Sequence, residues 1–189
     1  MNSSDIQIRK TTQADFNDIM DVHKQGFGYD KEAHLVAGLL ADKTAEPMIS
    51  LLAFYKGEAV GHILFTRAYL DGQQEQPLIH ILAPLAVKPE FQKKGIGGML
   101  IRRGVELLQE MGSKLVFVLG HKEYYPKYGF EPHATRMGYP APYPVPDELG
   151  EYWMVQSISP DGWEIGKGKI NCADFLNEPE HWRDDETEK

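Results

Sequence analysis

The chain has 189 residues, of which 42% are hydrophobic and 25% charged; this balance fits one folded domain with its own core and excludes disordered, collagen-like and coiled-coil classes. A single cysteine, Cys172, rules out an intramolecular disulfide or a thiolate zinc cluster and fits a reducing, cytoplasmic compartment. Net charge is −8, of which −5 falls from Asp174 onward, so the body is only mildly acidic and offers no basic face to nucleic acid; no apolar run spans a membrane, and Met1 to Asp5 lacks a signal-peptide pattern.

Ile6 to Arg9 alternates and predicts a short strand. Thr12 and Asp15 have capping-box spacing, and Phe16, Ile19, Met20, His23 and Phe27 follow at helical spacing. Asp30 opens a second helix with Leu35, Val36, Leu39 and Leu40 as its stripe. Pro47 to Tyr55 and Ala59 to Tyr69 flank the turn signal Lys56-Gly57-Glu58 and predict a hairpin. Leu78 to Val87 is a long apolar strand ended by Lys88-Pro89-Glu90. Gly95 to Met111 is the most helical segment, with Ile96, Leu100, Gly104, Leu107, Leu108 and Met111 on one face and Gly112 as its stop. Leu115 to Leu119 reads as a buried parallel strand. His121 to Tyr128 predicts a short helix of about two turns, and Gly129-Phe130 starts another strand. Met137 to Pro146 is an ordered loop rich in Pro and Tyr, and Glu151 to Ile158 is the last strand. The expected organisation is one α/β domain with a mixed sheet over residues 1–176, then an acidic tail over 177–189, frayed from about Asn177.

Chemistry concentrates where the strand ending at Val87 runs through Gln92, Lys93, Lys94, Gly95, Ile96, Gly97 and Gly98 into a helix. The first turn of a helix carries unpaired N–H groups and a partial positive charge, and glycines let backbone close around an anion. The segment therefore reads as a phosphate or pyrophosphate cradle, with Lys93 and Lys94 adding charge. A P-loop run is absent. A dinucleotide fingerprint would place Leu100 at its third small position, where a large side chain blocks helix–strand contact. The pattern Q/R-x-x-G-x-G/A is met by Gln92, Gly95 and Gly97. The plain alternative is a strand-to-helix turn, which would keep three glycines at a cost of ~1 kcal/mol each. Pro84 cannot donate to a neighbouring strand, which predicts a bulge or a splayed pair.

These residues, with Tyr125, Tyr128, Gly129 and Phe130 matching a Y-x-x-x-G-F ending, resemble the GNAT superfamily of N-acyltransferases over about Ile6 to Ile158. Pro84-Leu85-Ala86-Val87 with Tyr124-Tyr125 is similar to its YhbS-like branch. The resemblance implies a mixed, mostly antiparallel sheet flanked by helices, with splayed parallel strands four and five. It implies acetyl-CoA as co-substrate, with no metal. The pantetheine arm would pair with backbone of Leu85, Ala86 and Val87, and the pyrophosphate would sit on N–H groups from Lys93 to Gly98. A primary amine would attack the thioester directly, with Tyr125 as general acid. The base is open among His80, Glu123 and a water chain. An Asn common after the fifth strand is absent; Gly120-His121 stands there. Against catalysis stands Tyr125 as a packed core aromatic, which would leave a silent acyl-CoA-binding module; a longer acyl group is a further alternative. The acceptor, a small molecule or peptide amine, would meet residues 21–45, 71–77 and 137–146, the last a preformed wall with aromatic faces. No nucleic-acid or membrane partner is expected, and a homodimer is a family-based expectation.

Overall fold

The computed structural model describes residues 5–182. Its strands are β1 (Ile6–Lys10), β2 (Ile49–Tyr55), β3 (Glu58–Leu70), β4 (Ile79–Val87), β5 (Leu115–Leu119), β6 (Glu131–Pro132), β7 (Trp153–Ser157) and β8 (Ile170–Cys172); its helices are α1 (Phe16–Phe27), α2 (Lys31–Ala41) and α3 (Ile96–Met111). They form one sheet in the order β1-β2-β3-β4-β5-β7-β6, with β8 added to β3. All pairs are antiparallel except β4–β5. No helix among the described residues is long and apolar enough to cross a membrane.

Neighbouring residues of the central strands point to opposite faces, and both faces are apolar. Leu52, Leu64 and Phe117 share one buried cluster with residues of α1 and α2, Phe117 stacking on Trp153, while Leu51, Ile63 and Val116 share the other with residues of α3. At Gly104 a Cβ would overlap the Phe65 ring, so a glycine is what lets α3 lie close on β3. The hairpin β2–β3 turns on Lys56 (φ 49°) and Gly57 (φ 85°), both left-handed as a two-residue turn of this twist requires. The start of α1 is pinned by Asp15, which accepts from the Thr12 N–H at 2.7 Å and from both terminal nitrogens of Arg9 at 2.7 and 2.8 Å.

Three expectations change. The segment from His121 to Tyr128 holds one 3-10 turn, Tyr125–Tyr128, where two helical turns were expected; Gly129 at φ 93° ends it at once. The strand expected from Gly129 is reduced to two residues, Glu131–Pro132. The tail does not fray at Asn177. Residues 177–182 turn back onto the domain, where the Trp182 indole N–H donates to the Leu176 carbonyl at 2.7 Å and its ring meets Trp153 edge-on at 5.8 Å. Residues 183–189 of the expected tail lie outside the described residues.

Candidate active site

The parallel pair β4–β5 is short. His80, Ile81 and Leu82 face Val116, Phe117 and Val118, and pairing stops there. On its other edge β4 stays paired with β3, but Leu64 alone stands opposite two residues, Ala83 and Pro84, between the Leu82–Phe65 and Leu85–Ile63 partners. The extra residue is a β-bulge at the proline, and it turns β4 away from β5. Leu85, Ala86 and Val87 therefore have β3 on one side and no β5 residue on the other. The gap opens into a cavity of about 300 Å³ walled by residues 81–85, by Leu119, Gly120 and His121, by Tyr125, by Phe27, Glu32 and Leu35, and by Leu176, His181 and Trp182.

Of the three residues expected to offer backbone to a ligand, Leu85 lines this cavity. Ala86 buries its methyl under α1, and the Val87 carbonyl accepts from the Gln92 side-chain amide at 3.0 Å. Gln92 is thus a clamp between the strand end and the loop. Lys93 (φ 59°) and Gly95 (φ 85°) are both left-handed, and Lys94 between them is not; such alternation turns successive N–H groups to one side, the geometry of an anion nest. The Ile96 side chain is in the core at 1% exposure, leaving its N–H for any ligand. Within α3 the first backbone bond runs from Met99 N–H to Gly95 at 3.1 Å, so the N–H groups of Ile96, Gly97 and Gly98 have no helical acceptor. Lys93 is exposed, and Lys94 donates to the Glu90 carbonyl at 2.6 Å. A Cβ on Gly97 would overlap the Tyr124 hydroxyl, and one on Gly98 the Tyr128 ring. Two tyrosines therefore close over the helix start because glycines leave them room.

Tyr125 projects toward the gap from the 3-10 turn. Its ring is buried edge-on against Tyr124 (5.2 Å) and Phe130 (5.7 Å) and lies where a side chain at Gly120 would be. Burial pushes its phenol above the ordinary value, so it holds its proton at and well above neutral pH. The cavity thus holds a buried, protonated phenol near Leu85, on the strand that leads through Gln92 to the unpaired N–H groups of α3.

The two named base candidates are elsewhere. His80 is fully buried; its Nε2 donates to the Pro47 carbonyl at 2.8 Å, Nδ1 pairs with the Ser113 hydroxyl at 2.8 Å, and burial pushes it down to about 4. Glu123 is exposed and is not part of the cavity wall. His23 and His62 pair at 2.8 Å inside the core, with Ser50 on the far nitrogen of His62, a structural chain. Four residues of the cavity wall are not singled out as site residues from the sequence: Gly120, Glu32 (within the acceptor segment 21–45), His181 and Trp182. A glycine directly after an apolar strand was the available sign for the first; His181-Trp182, two ring side chains in an acidic stretch, was the sign for the last two. No group of three or more His, Cys, Asp or Glu among the described residues is placed to hold a metal ion.

The model of the acetyltransferase (GNAT) domain matches residues 7–133. The chain is 56% identical over 164 residues to an uncharacterized N-acetyltransferase, YjhQ of Escherichia coli K12, covering 87% of this chain and 90% of that one. It is 30% identical over 109 residues to another, YhbS, covering 57% and 63%. Among solved structures, E. coli YhbS in complex with CoA superposes with a TM-score of 0.81 at 25% identity over 92% of each chain. A GNAT acetyltransferase of Brucella melitensis with acetyl-CoA gives 0.71 at 27% identity over 90% of this chain and 97% of that one. The chain belongs to the GNAT acetyltransferase family.

Proposed function

We propose that the protein is an acetyl-CoA-dependent N-acetyltransferase that passes the acetyl group to a primary amine by direct attack. The observation that carries the reading is the bulged end of β4, where Leu85 borders a cavity shared with a buried phenol and the strand leads through Gln92 into the open N–H groups of α3. CoA and acetyl-CoA in the two solved relatives support the choice of co-substrate. The diphosphate sits on the amides of Lys93 to Gly98, and the pantetheine arm pairs along residues 85–87 as an added strand would. An N–H near Leu85 faces the carbonyl oxygen of the thioester; an oxyanion donor of this kind contributes about 3–4 kcal/mol. The amine nitrogen bonds to the carbonyl carbon, the C–S bond breaks, the nitrogen sheds a proton, and the Tyr125 phenol gives one to the departing sulfur.

A silent acyl-CoA binder would share the amide cradle, so turnover separates the two readings. Thiol release from acetyl-CoA across a panel of primary amines is expected to rise above the amine-free rate for at least one. Coenzyme A bound tightly in calorimetry with no turnover on any amine would favour the silent module.

Two substitutions test the parts. Gly97→Glu places a carboxylate in the cradle and displaces only the far end of Tyr124, so the fold should survive. Losing even two charge-assisted hydrogen bonds, at about 1.5–3 kcal/mol each, predicts a fall in coenzyme A affinity of at least ~100-fold. Unchanged affinity by calorimetry would remove the cradle. Gly120→Ala drives a methyl into the Tyr125 ring and should reduce kcat by ~10-fold or more with little change in coenzyme A affinity, since ångström misplacement of a reacting group is costly.

A further inference from the structure

The cavity at the gap does not end at the gap. A second chamber of about 260 Å³ adjoins it, and the two share Leu119, Gly120, His121 and Trp182 as common walls. Leu119, the last residue of β5, is 41% exposed, unlike the four residues before it, and forms the floor between the chambers. Among the described residues the second chamber is walled by Tyr143, Val145, Leu149 and Tyr152, and none of those lining it carries a carboxylate or an ammonium group. That lining is mostly apolar and aromatic, with the His121 ring and two tyrosine hydroxyls among its polar side-chain groups, so it suits an apolar or aromatic body better than a charged group, which would lose hydration there.

Glu32 and His181 line the first chamber and not the second. The His181 side chain is 93% buried by its 7% exposure, lines the gap, and rests against the Phe175 ring at 5.3 Å. Among the described residues its Nε2 has no hydrogen-bond partner, and Glu180 at 3.7 Å is beyond hydrogen-bond reach. A buried imidazole nitrogen without a partner costs stability unless a ligand completes it. Glu32 lines the same chamber and adds negative potential for an ammonium group.

Resting on the acetyltransferase reading, we propose that the acceptor is a primary amine on an apolar or aromatic body, its nitrogen at His181 and its body in the chamber between Trp182 and the 143–146 wall. The amine gives its ammonium proton to solvent before it attacks, and His181 Nε2 takes the second proton, which the nitrogen sheds as the C–N bond forms. The reaction leaves His181 protonated and Tyr125 ionised, and exchange through solvent resets both. Burial lowers the basicity of His181, opposed by Glu180 and Glu178 and aided by Lys31; Glu32, exposed His121 and the Tyr125 phenol are the other titratable groups at the chamber. The imidazole is therefore in its accepting form at neutral pH.

The test is thiol release from acetyl-CoA with 2-phenylethylamine and tryptamine against spermidine and lysine, on the full chain. The aromatic amines are expected to have at least ~10-fold higher kcat/KM. Val145→Glu, and separately Trp182→Ala, should raise KM for 2-phenylethylamine about 10-fold with coenzyme A affinity unchanged; the first leaves the tail's contact with Trp153 in place should the second loosen it. His181→Gln should lower kcat and remove the acidic limb of its pH profile. Preference for spermidine or lysine, no turnover of either aromatic amine, or an unaltered pH profile in His181→Gln would overturn the proposal. Coenzyme A affinity, measured alongside, separates the failures: retained binding with another amine preferred leaves the acetyltransferase reading standing, whereas absent binding removes it.

Discussion

Tyr125→Phe is expected to lower kcat by about 100- to 1,000-fold, the lower part of the ~100- to 10,000-fold range a positioned general acid supplies, while coenzyme A affinity stays within about twofold because no phosphate contact changes. The change is clean because phenylalanine keeps the ring that packs on Tyr124 and Phe130 and fills the space left by Gly120. Only the hydroxyl is lost, and with it the proton for the departing sulfur. A thiolate of ordinary basicity near pH 8.5 can leave partly unprotonated, which holds the loss below the top of the range for general acids. Since burial raises the Tyr125 phenol, wild-type kcat should not fall on the alkaline side until well above pH 10. Single-turnover thiol release at saturating amine reads this directly. A kcat within threefold of wild type would mean that solvent protonates the sulfur and Tyr125 is a packing residue.

Stability is expected to fall steeply as pH drops below about 6.5. His23, His62 and His80 are each fully buried, and burial depresses all three, His23 to about 3, His80 to about 4 and His62 well below its ordinary value. Below pH 6.5 the unfolded chain binds protons at these rings and the folded chain does not, so protons favour unfolding until the folded values are reached. Three such groups cost about 4 kcal/mol per pH unit in the middle of that window, against a total stability of about 5–15 kcal/mol for a domain. Asp15 acts in the same direction lower down: Arg9 and the Thr12 N–H hold its carboxylate far below the usual range, and that stabilisation disappears as pH falls through the carboxylate range. The urea midpoint should therefore drop between pH 7 and pH 5 and the fold be lost near pH 4–5. A flat midpoint from pH 7 to pH 5 would show that the His23–His62 pair and His80 can be charged in place.

The parts of this site legible in the sequence are those set by local backbone rules. Pro84 lacks an N–H, and the structure puts a bulge there; Gln92 to Gly98 has the glycines of an anion turn, and Gly95 takes the left-handed φ that they allow. The strand and helix periods around them were readable for the same reason, since burial on one or two faces repeats every 2 or 3.6 residues. What escaped depends on contacts distant in sequence. β8 has three residues, too few to show a period, and owes its existence to the edge of β3 at Ala68–Leu70. The acidic run after Asp174 reads as solvated, yet Leu176 and Trp182 within it find apolar partners in the sheet and bring His181 to the gap. In the sequence His80 is one of three open base candidates, and its partners Ser113 and Pro47, which only the fold brings near, make it a satisfied buried histidine.

Where coenzyme A lies decides how the site works, and a crystal structure of the full chain grown with it reads that position. The diphosphate should contact the N–H groups of Ile96, Gly97 and Gly98, the pantetheine arm should run beside residues 85–87 between β4 and β5, and the sulfur should point at the Tyr125 hydroxyl. A diphosphate bound away from the start of α3, or an arm outside the β4–β5 gap, would contradict this placement.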